Sequence, residues 1–447
     1  MLHQLALSLF ALAVAAPQDQ PAVPDRLEQY MDACGRGDIP PDVVISACNA
    51  LMRFDQFGPG DTADIFFDLG RAWQTMGDYD RAIGNYDLSL ARKPGFAWAY
   101  YDRGLAEYGK GDYRGAVRDD DAAIGLAPDD FRAFENRGIA WYRLNENERA
   151  IADFAEAIRL ASGQGKPYYN RALVWLRVGD AGRAVADLDM AVKLGLGDAD
   201  VFRSRAAARF DSGEYDLAIA DCDAAIGLGA GDADLFALRG AARFRKGDES
   251  GAIADFSRVI AIDPNDADAF DSRGNALNEQ GDHDRAIADY DRAIALDPTN
   301  ARTYNNRGIA YDDRGDHARG IADYSRAIAL DSVNAAAFGN RCLARAESGT
   351  ELEVALADCD RSLSLKPGET DFLDARGLAE LRLGQFASAI GDYDAVLAKD
   401  PRASAMFGRG LAKLRKGDTS DGDADLTAAQ AADPRIATQF ASYGLVP

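Results

Sequence analysis

The residues of this 447-residue chain with the strongest intrinsic chemistry are three histidines and five cysteines, and their spacing narrows what they do. His3 stands near the start, while His283 and His317 lie 34 residues apart. A metal site would need both imidazoles to converge with further ligands, whereas two solvated turn residues need nothing more. The cysteines form no C-x-x-C spacing, which speaks against structural zinc and a thioredoxin-like couple. Cys34 and Cys48 instead flank a turn at Pro40-Pro41, and Cys342 and Cys359 flank one at Gly349-Thr350-Glu351. Residues equidistant from the turn of an antiparallel helical hairpin face each other, so two disulfides are expected. Cys222 is left over, and small buried hydrophobes remain the alternative for all five.

Other motifs dissolve on inspection. The stretch Asp418-Thr-Ser-Asp421-Gly-Asp423-Ala-Asp425 lacks the D-x-D-x-D-G order and distal Glu of a calcium loop. Gly227-Leu-Gly-Ala-Gly ends a helical pattern instead of linking a strand to a helix, so it is no phosphate cradle. Arg36-Gly37-Asp38 and Arg314-Gly315-Asp316 read as turns. Nucleophile, base and oxyanion donors converge nowhere, so the expectation is a non-catalytic protein with no metal and no cofactor.

Composition excludes further classes. Apolar residues at 47% and charged residues at 28% describe a folded globular chain, not a disordered or collagenous one. Lys+Arg 50 against Asp+Glu 73 gives a net charge of −23, which removes nucleic acid and anionic membranes from the expected partners. Leu5 to Ala16 is an apolar run too short to span a bilayer. With Ala13 and Ala15 forming an A-x-A site, residues 1–15 read as a secretory signal cleaved before Ala16, although no Lys or Arg precedes Arg26. A periplasmic or secreted location follows, with 16–24 as a linker and no transmembrane segment later in the chain.

What must position any site is a repeat. Arg273-Gly-Asn-Ala…Gly281-Asp returns as Arg307-Gly-Ile-Ala…Gly315-Asp at an offset of 34 residues. Eleven repeats fit, starting at residues 63, 97, 131, 165, 199, 233, 267, 301, 335, 370 and 403. Each carries an apolar run of helical period on either side of a Gly-Asp turn, the pattern of two antiparallel helices, so the fold class is all-α. Gly occupies the turn in every repeat except one, where Asn145 substitutes, and both types tolerate the left-handed conformation that closes a helix. Small residues recur at phase 8 and phase 20, where the helices must approach closely. Prolines such as Pro94, Pro128, Pro264 and Pro298 end the second helix. That proline is lost between the third and sixth repeats, where glycines gather, giving either a softer middle or plain loops.

These residues resemble the tetratricopeptide repeat family across 63–436. The resemblance implies a right-handed α-solenoid whose first helices line a concave surface that holds a peptide or partner protein. Residues 25–62 are expected to cap it as a helical hairpin, and 437–447 to form a terminal cap and tail. One departure stands out, because the usual apolar residue before the phase-8 Gly is arginine: Arg103, Arg137, Arg171, Arg205, Arg239, Arg273, Arg307, Arg341, Arg376 and Arg409. Equidistant across the turn stand Asp119, Asp153, Asp187, Asp221, Asp255, Asp289, Asp323, Asp358, Asp392 and Asp425. The first repeat, with Leu69 and Asn85, loses both partners together. A ladder of bidentate Arg-Asp pairs serving the scaffold is therefore expected.

The concave positions implied by the family change character along the chain. Early repeats place Phe67, Trp98, Tyr101, Tyr108, Tyr142, Tyr169, Phe210 and Phe244 there, interleaved with Arg132, Arg143, Lys166 and Arg177. Trp, Tyr and Arg are enriched at binding hot spots, although helix packing is an equal claim on these rings. Repeats seven and eight turn acidic with Asp268, Asp271, Glu279, Asp312 and Asp313, favouring a basic segment. Asn136, Asn170, Asn306 and Asn340 sit where the family often hydrogen-bonds a peptide backbone. The family's basic clamp for a chaperone tail is absent as a set. The expectation is a scaffold for a protein or peptide partner, with a structural spacer acting through its ends as the alternative.

Overall fold

The computed structural model describes residues 23–54 and 57–447, so the expected signal segment with Ala13 and Ala15 lies outside the described residues. Among the described residues there are 25 helices and no strand, an all-α helical repeat fold. None of the helices is long and apolar enough to cross a membrane. The chain divides into two compact units, Met1–Ser212 and Gly213–Pro447.

The amino-terminal unit begins with α1 (Val23–Cys34) and α2 (Pro41–Leu51) and continues through α3 (Pro59–Thr75), α4 (Tyr79–Arg92), α5 (Ala97–Lys110) and α6 (Tyr113–Leu126). It then runs through α7 (Phe131–Arg143), α8 (Asn147–Leu160), α9 (Gly165–Arg177), α10 (Ala181–Lys193) and α11 (Ala199–Asp211). The opening hairpin buries Val44, Ala47 and Leu51 against Ile65, Leu69 and Ala72 of α3. The sulfurs of Cys34 and Cys48 join its two helices at bonding distance, with Cα atoms 4.8 Å apart.

The carboxy-terminal unit holds α12 (Tyr215–Gly227), α13 (Ala233–Lys246), α14 (Glu249–Ile262), α15 (Ala267–Glu279), α16 (His283–Leu296), α17 (Ala301–Asp313) and α18 (His317–Leu330). It closes with α19 (Ala335–Ser348), α20 (Leu352–Leu365), α21 (Thr370–Arg382), α22 (Phe386–Leu397), α23 (Ala403–Lys416), α24 (Thr419–Ala432) and α25 (Ile436–Ser442). The Asp418–Asp425 stretch is the start of α24, not a loop. Phe440 of α25 packs on Phe407 with ring centroids 4.8 Å apart, sealing the end of the core.

The Gly-Asp dipeptide makes the hairpin by capping both helices at once. Every turn residue expected to be left-handed has positive φ, from Gly77 at 79° to Asn145 at 62°. The Asp that follows accepts a backbone N–H of the second helix, as Asp112 does from Gly115 (2.8 Å) and Asp180 from Arg183 (2.9 Å). Where the terminal proline is missing, Gly195 and Gly229 close α10 and α12 in left-handed conformation, and the next N–H groups reach Ala191 and Ala225. The ninth repeat carries one extra residue, and Glu351 there takes φ 47°. Cys342 and Cys359, with Cα atoms 5.5 Å apart and sulfurs at bonding distance, tie the two helices behind that turn.

At phase 8 glycine is required by contact, not by backbone freedom. A Cβ on Gly308 would lie 2.6 Å from the Tyr324 ring and one on Gly274 2.7 Å from the Tyr290 ring. Both tyrosines are about 1% exposed, so neither ring has room to retreat.

The arginine ladder is present in both units. Arg103, Arg137, Arg171, Arg239, Arg273, Arg307, Arg341, Arg376 and Arg409 each donate through Nε and Nη2 to the two oxygens of the equidistant Asp. The remaining Nη1 of most of them reaches back to the preceding repeat, for example Arg137 to Asp121 (2.5 Å), Arg307 to Asp291 (2.5 Å) and Arg376 to Asp360 (2.8 Å). For Arg273 and Arg341 the acceptor is the hydroxyl of Ser257 or Ser325. In the first repeat Leu69 is buried in the arginine's place, and Asn85 donates to its own helix instead.

Candidate functional site

Within each unit the first helices of neighbouring repeats touch one another, as α5 touches α7 and α15 touches α17, whereas neighbouring second helices do not. The first helices therefore line the inner side of each stack.

In the amino-terminal unit that face carries rings and guanidinium groups in contact. Trp98 is 40% exposed and meets the edge of Tyr101 with centroids 5.7 Å apart, while the Arg132 guanidinium lies 4.2 Å from its ring centroid. The Tyr108 hydroxyl accepts from Arg143 Nε at 2.8 Å. Arg177 lies 3.3 Å over the Tyr142 ring and donates to the Tyr142 carbonyl. Phe67 is more committed to packing, with Phe96 and Tyr86 centroids at 4.8 and 5.9 Å. Tyr169 is half-buried, and burial pushes its phenol above the usual range. Between α3 and α5 a groove of about 470 Å³ is lined by Arg71, Gln74, Asp102, Leu105 and Tyr108.

The four asparagines occupy one register, and the structure spends their side chains on the scaffold. Asn170 donates to Glu135 (2.8 Å), Asn306 to Asp271 (3.2 Å) and Asn340 to Asn305 (3.0 Å), each on the preceding first helix. Asn136 stands in the same register, but its buried Nδ2 has no hydrogen-bond partner. An amide engaged between repeats offers a peptide backbone only its remaining polar capacity.

Carboxylates form the floor of the inner face in both units. Asp271 is 1% exposed, and burial raises its pKa despite Arg302 at 3.4 Å. Asp312 is pushed up to about 6 by burial, although it accepts from the Tyr324 hydroxyl (2.7 Å) and faces His317 Nδ1 (3.1 Å). Glu347 is raised by burial as well and accepts from Tyr443 (2.6 Å), beside the terminal helix. The sequence reading missed the matching acids of the first unit, where burial pushes Asp68 and Asp102 up to about 6. Both stand at phase 6, and aligning the repeats by phase would have shown them. His283 and His317 each pair across their own turn, His283 with Asn278 and His317 with Asp312, while His3 lies outside the described residues. Among the described residues no group of three or more His, Cys, Asp or Glu is arranged to hold a metal ion.

Comparison with known proteins agrees with this architecture. Residues 67–119, 101–165, 169–234 and 375–436 match the tetratricopeptide repeat family, residues 301–334 match a second form of it, and 274–315 match a TPR repeat. The chain belongs to the tetratricopeptide repeat family. Members of this family are in general scaffolds for protein partners. No curated protein matches this tetratricopeptide repeat chain. Among solved structures it is similar to the APC/C hetero-tetramer Cut9-Hcn1 (14% identity, 95% of this chain and 96% of that one, TM-score 0.48). It is also similar to YrrB, a TPR protein with an unusual peptide-binding site (23%, 41% and 95%, TM-score 0.37). A third likeness is to pilF of Pseudomonas aeruginosa (18%, 46% and 95%, TM-score 0.42).

Proposed function

We propose that this tetratricopeptide repeat protein is a non-catalytic exported scaffold that holds a protein or peptide partner on the face formed by its first helices. The observation that carries the reading is the cluster of Trp98, Tyr101 and Arg132, in which a large ring stays 40% exposed while a guanidinium and a second ring hold it in one orientation. A pre-oriented aromatic beside arginine gives up little entropy on binding and has the composition of a hot spot. The acidic floor of the same face, in a chain of net charge −23, suits a basic partner.

A photo-reactive residue at position 98, compared with one at Met31 or Val446 near the two ends, tests this in the native cell. Adducts at position 98 are expected, and Trp98→Ala with Tyr101→Ala should weaken binding of the recovered partner by about 100-fold. Adducts confined to positions 31 and 446 would instead favour assembly through the ends.

The apolar segment ending at Ala15 and the two cysteine pairs with Cα separations of 4.8 and 5.5 Å support export into an oxidising compartment. Cys222 is buried, and burial pushes its thiol up to about 12, which keeps it inert. Intact mass of the native protein is expected to begin at Ala16, with Cys34, Cys48, Cys342 and Cys359 protected from alkylation until reduction. An uncleaved chain alkylated at all five thiols would overturn export and both disulfides.

A further inference from the structure

The run Asp119-Asp120-Asp121 on α6 holds three carboxylates with unequal fates. Asp119 is bound by Arg103 and Asp121 by Arg137. Asp120 between them is 1% exposed, and neither of its oxygens has a hydrogen-bond partner. Its position explains the anomaly. In other repeats the same phase carries a large buried side chain that packs over the phase-8 glycine, among them Tyr86, Phe154, Phe256, Tyr290, Tyr324 and Tyr393. Asp120 is too short to fill that space, and a cavity of about 60 Å³ remains, lined by Gly104, Leu105, Tyr108, Ala116, Asp120, Asn136 and Ile139. Asn136 adds a second unpartnered group, its buried Nδ2.

A ring-sized hole with apolar walls and an unpaired aspartic acid at its base, which burial drives toward its protonated form until a cation stands beside it, is a costly thing to keep empty. We propose that this pocket receives a primary ammonium group on an apolar stem, supplied by a lysine side chain of the protein partner. The proposal rests on the reading of the first-helix face as the binding face, because Leu105, Tyr108, Asn136 and Ile139 belong to α5 and α7 on that side. An ammonium has three donors, enough for both Asp120 oxygens and a third acceptor. Asn136 provides that acceptor when its amide turns to present Oδ1, since the Nδ2 that it would turn away has no partner to lose. Leu105, Ala116 and Ile139 cover the methylenes of the stem. A cavity of this volume suits a compact ammonium better than the broad planar guanidinium of arginine.

The test uses n-butylamine as the probe and 1-butanol as its neutral counterpart, titrated into the full-length protein while the methyl resonances of Leu105 and Ile139 are followed. Saturable shifts are expected with the amine, at least about tenfold tighter than with the alcohol. Asp120→Asn should weaken the amine about tenfold, and Asp120→Phe, which restores the ring of the neighbouring repeats, should abolish binding and raise Tm. Equal responses to amine and alcohol, or no saturable response to either, overturn the proposal, the pocket then holding an apolar solute or water only. The probe needs no partner, so its failure is distinct from failure of the Trp98 and Tyr101 variants.

Discussion

Asp255→Ala is expected to destabilise the carboxy-terminal unit by about 3 kcal/mol, because it takes the buried carboxylate from two guanidinium groups at once and leaves Arg239 only its exposed partner Asp223. The Asp255 carboxylate is 2% exposed and receives Arg239 through Nε (2.9 Å) and Nη2 (2.6 Å) and Arg243 through Nη1 (2.8 Å). Arg239 is itself only 14% exposed, and its hydrogen bonds to Asp255 hold its pKa above the ordinary value. Removing one member of such a group leaves Nε and Nη2 donors of a largely buried cation without acceptors. The contrast is Asp216→Ala, which breaks a pair with the half-exposed Lys246 and should cost less than about 1 kcal/mol. Hydrogen exchange of α13 and α14 reads both, and a repeat array reports the loss locally before it melts as a whole. A double variant, Arg239→Met with Asp255→Leu, should regain part of the loss, since it removes the Arg239 charge together with the bonds and leaves only Arg243 to turn to Asp248. Equal costs for Asp255→Ala and Asp216→Ala would show that the ladder contributes no more than surface pairing.

Gly308→Val should be comparably severe, also at about 3 kcal/mol, for a steric reason. The new Cβ would stand 2.6 Å from the Tyr324 ring, whose hydroxyl is anchored on Asp312 and whose side chain is 1% exposed. The two helices of that hairpin would have to separate, and the Asp312 hydrogen bond with His317 would go with them. Gly84→Ala is the counterpart, because nothing lies within 4 Å of the added carbon. It should gain roughly 0.5–1 kcal/mol from better helix propensity. Thermal unfolding followed by circular dichroism separates the two variants, and a Gly308→Val protein as stable as the parent would refute the close-approach argument.

These two positions also mark how far the sequence could be read. A fixed period makes the hairpin visible, so residues equidistant from the turn name their own partners, as Arg239 names Asp255. The second bond that most rungs make, such as Arg307 to Asp291, was not legible in that way. It joins successive repeats, and symmetry about one turn says nothing of the next hairpin. The same limit explains the asparagines. Asn170 and Asn306 looked free because their partners, Glu135 and Asp271, sit a full repeat earlier. Asp120 was missed for the opposite reason: it lies inside an acidic run that reads as solvated surface, and only its phase reveals that a buried ring belongs there. Trp98 and Tyr101 could be placed on the first-helix face by phase alone, and the structure sets their rings 5.7 Å apart there.

The arginine rungs have a consequence for how such an array can change length. Most of these guanidinium groups are shared between a carboxylate of their own hairpin and an acceptor of the hairpin before it, Arg171 being the exception because Ala155 stands at the acceptor position, so the pattern repeats with the period. A segment of one period that is duplicated or excised brings or removes one cation together with the carboxylate of its own hairpin. No charge is orphaned at either junction. The first repeat fits this logic, for it supplies Asp87 to Arg103 behind it while Leu69 asks for nothing in front. The array is thus edited in whole hairpins, like beads with complementary clasps.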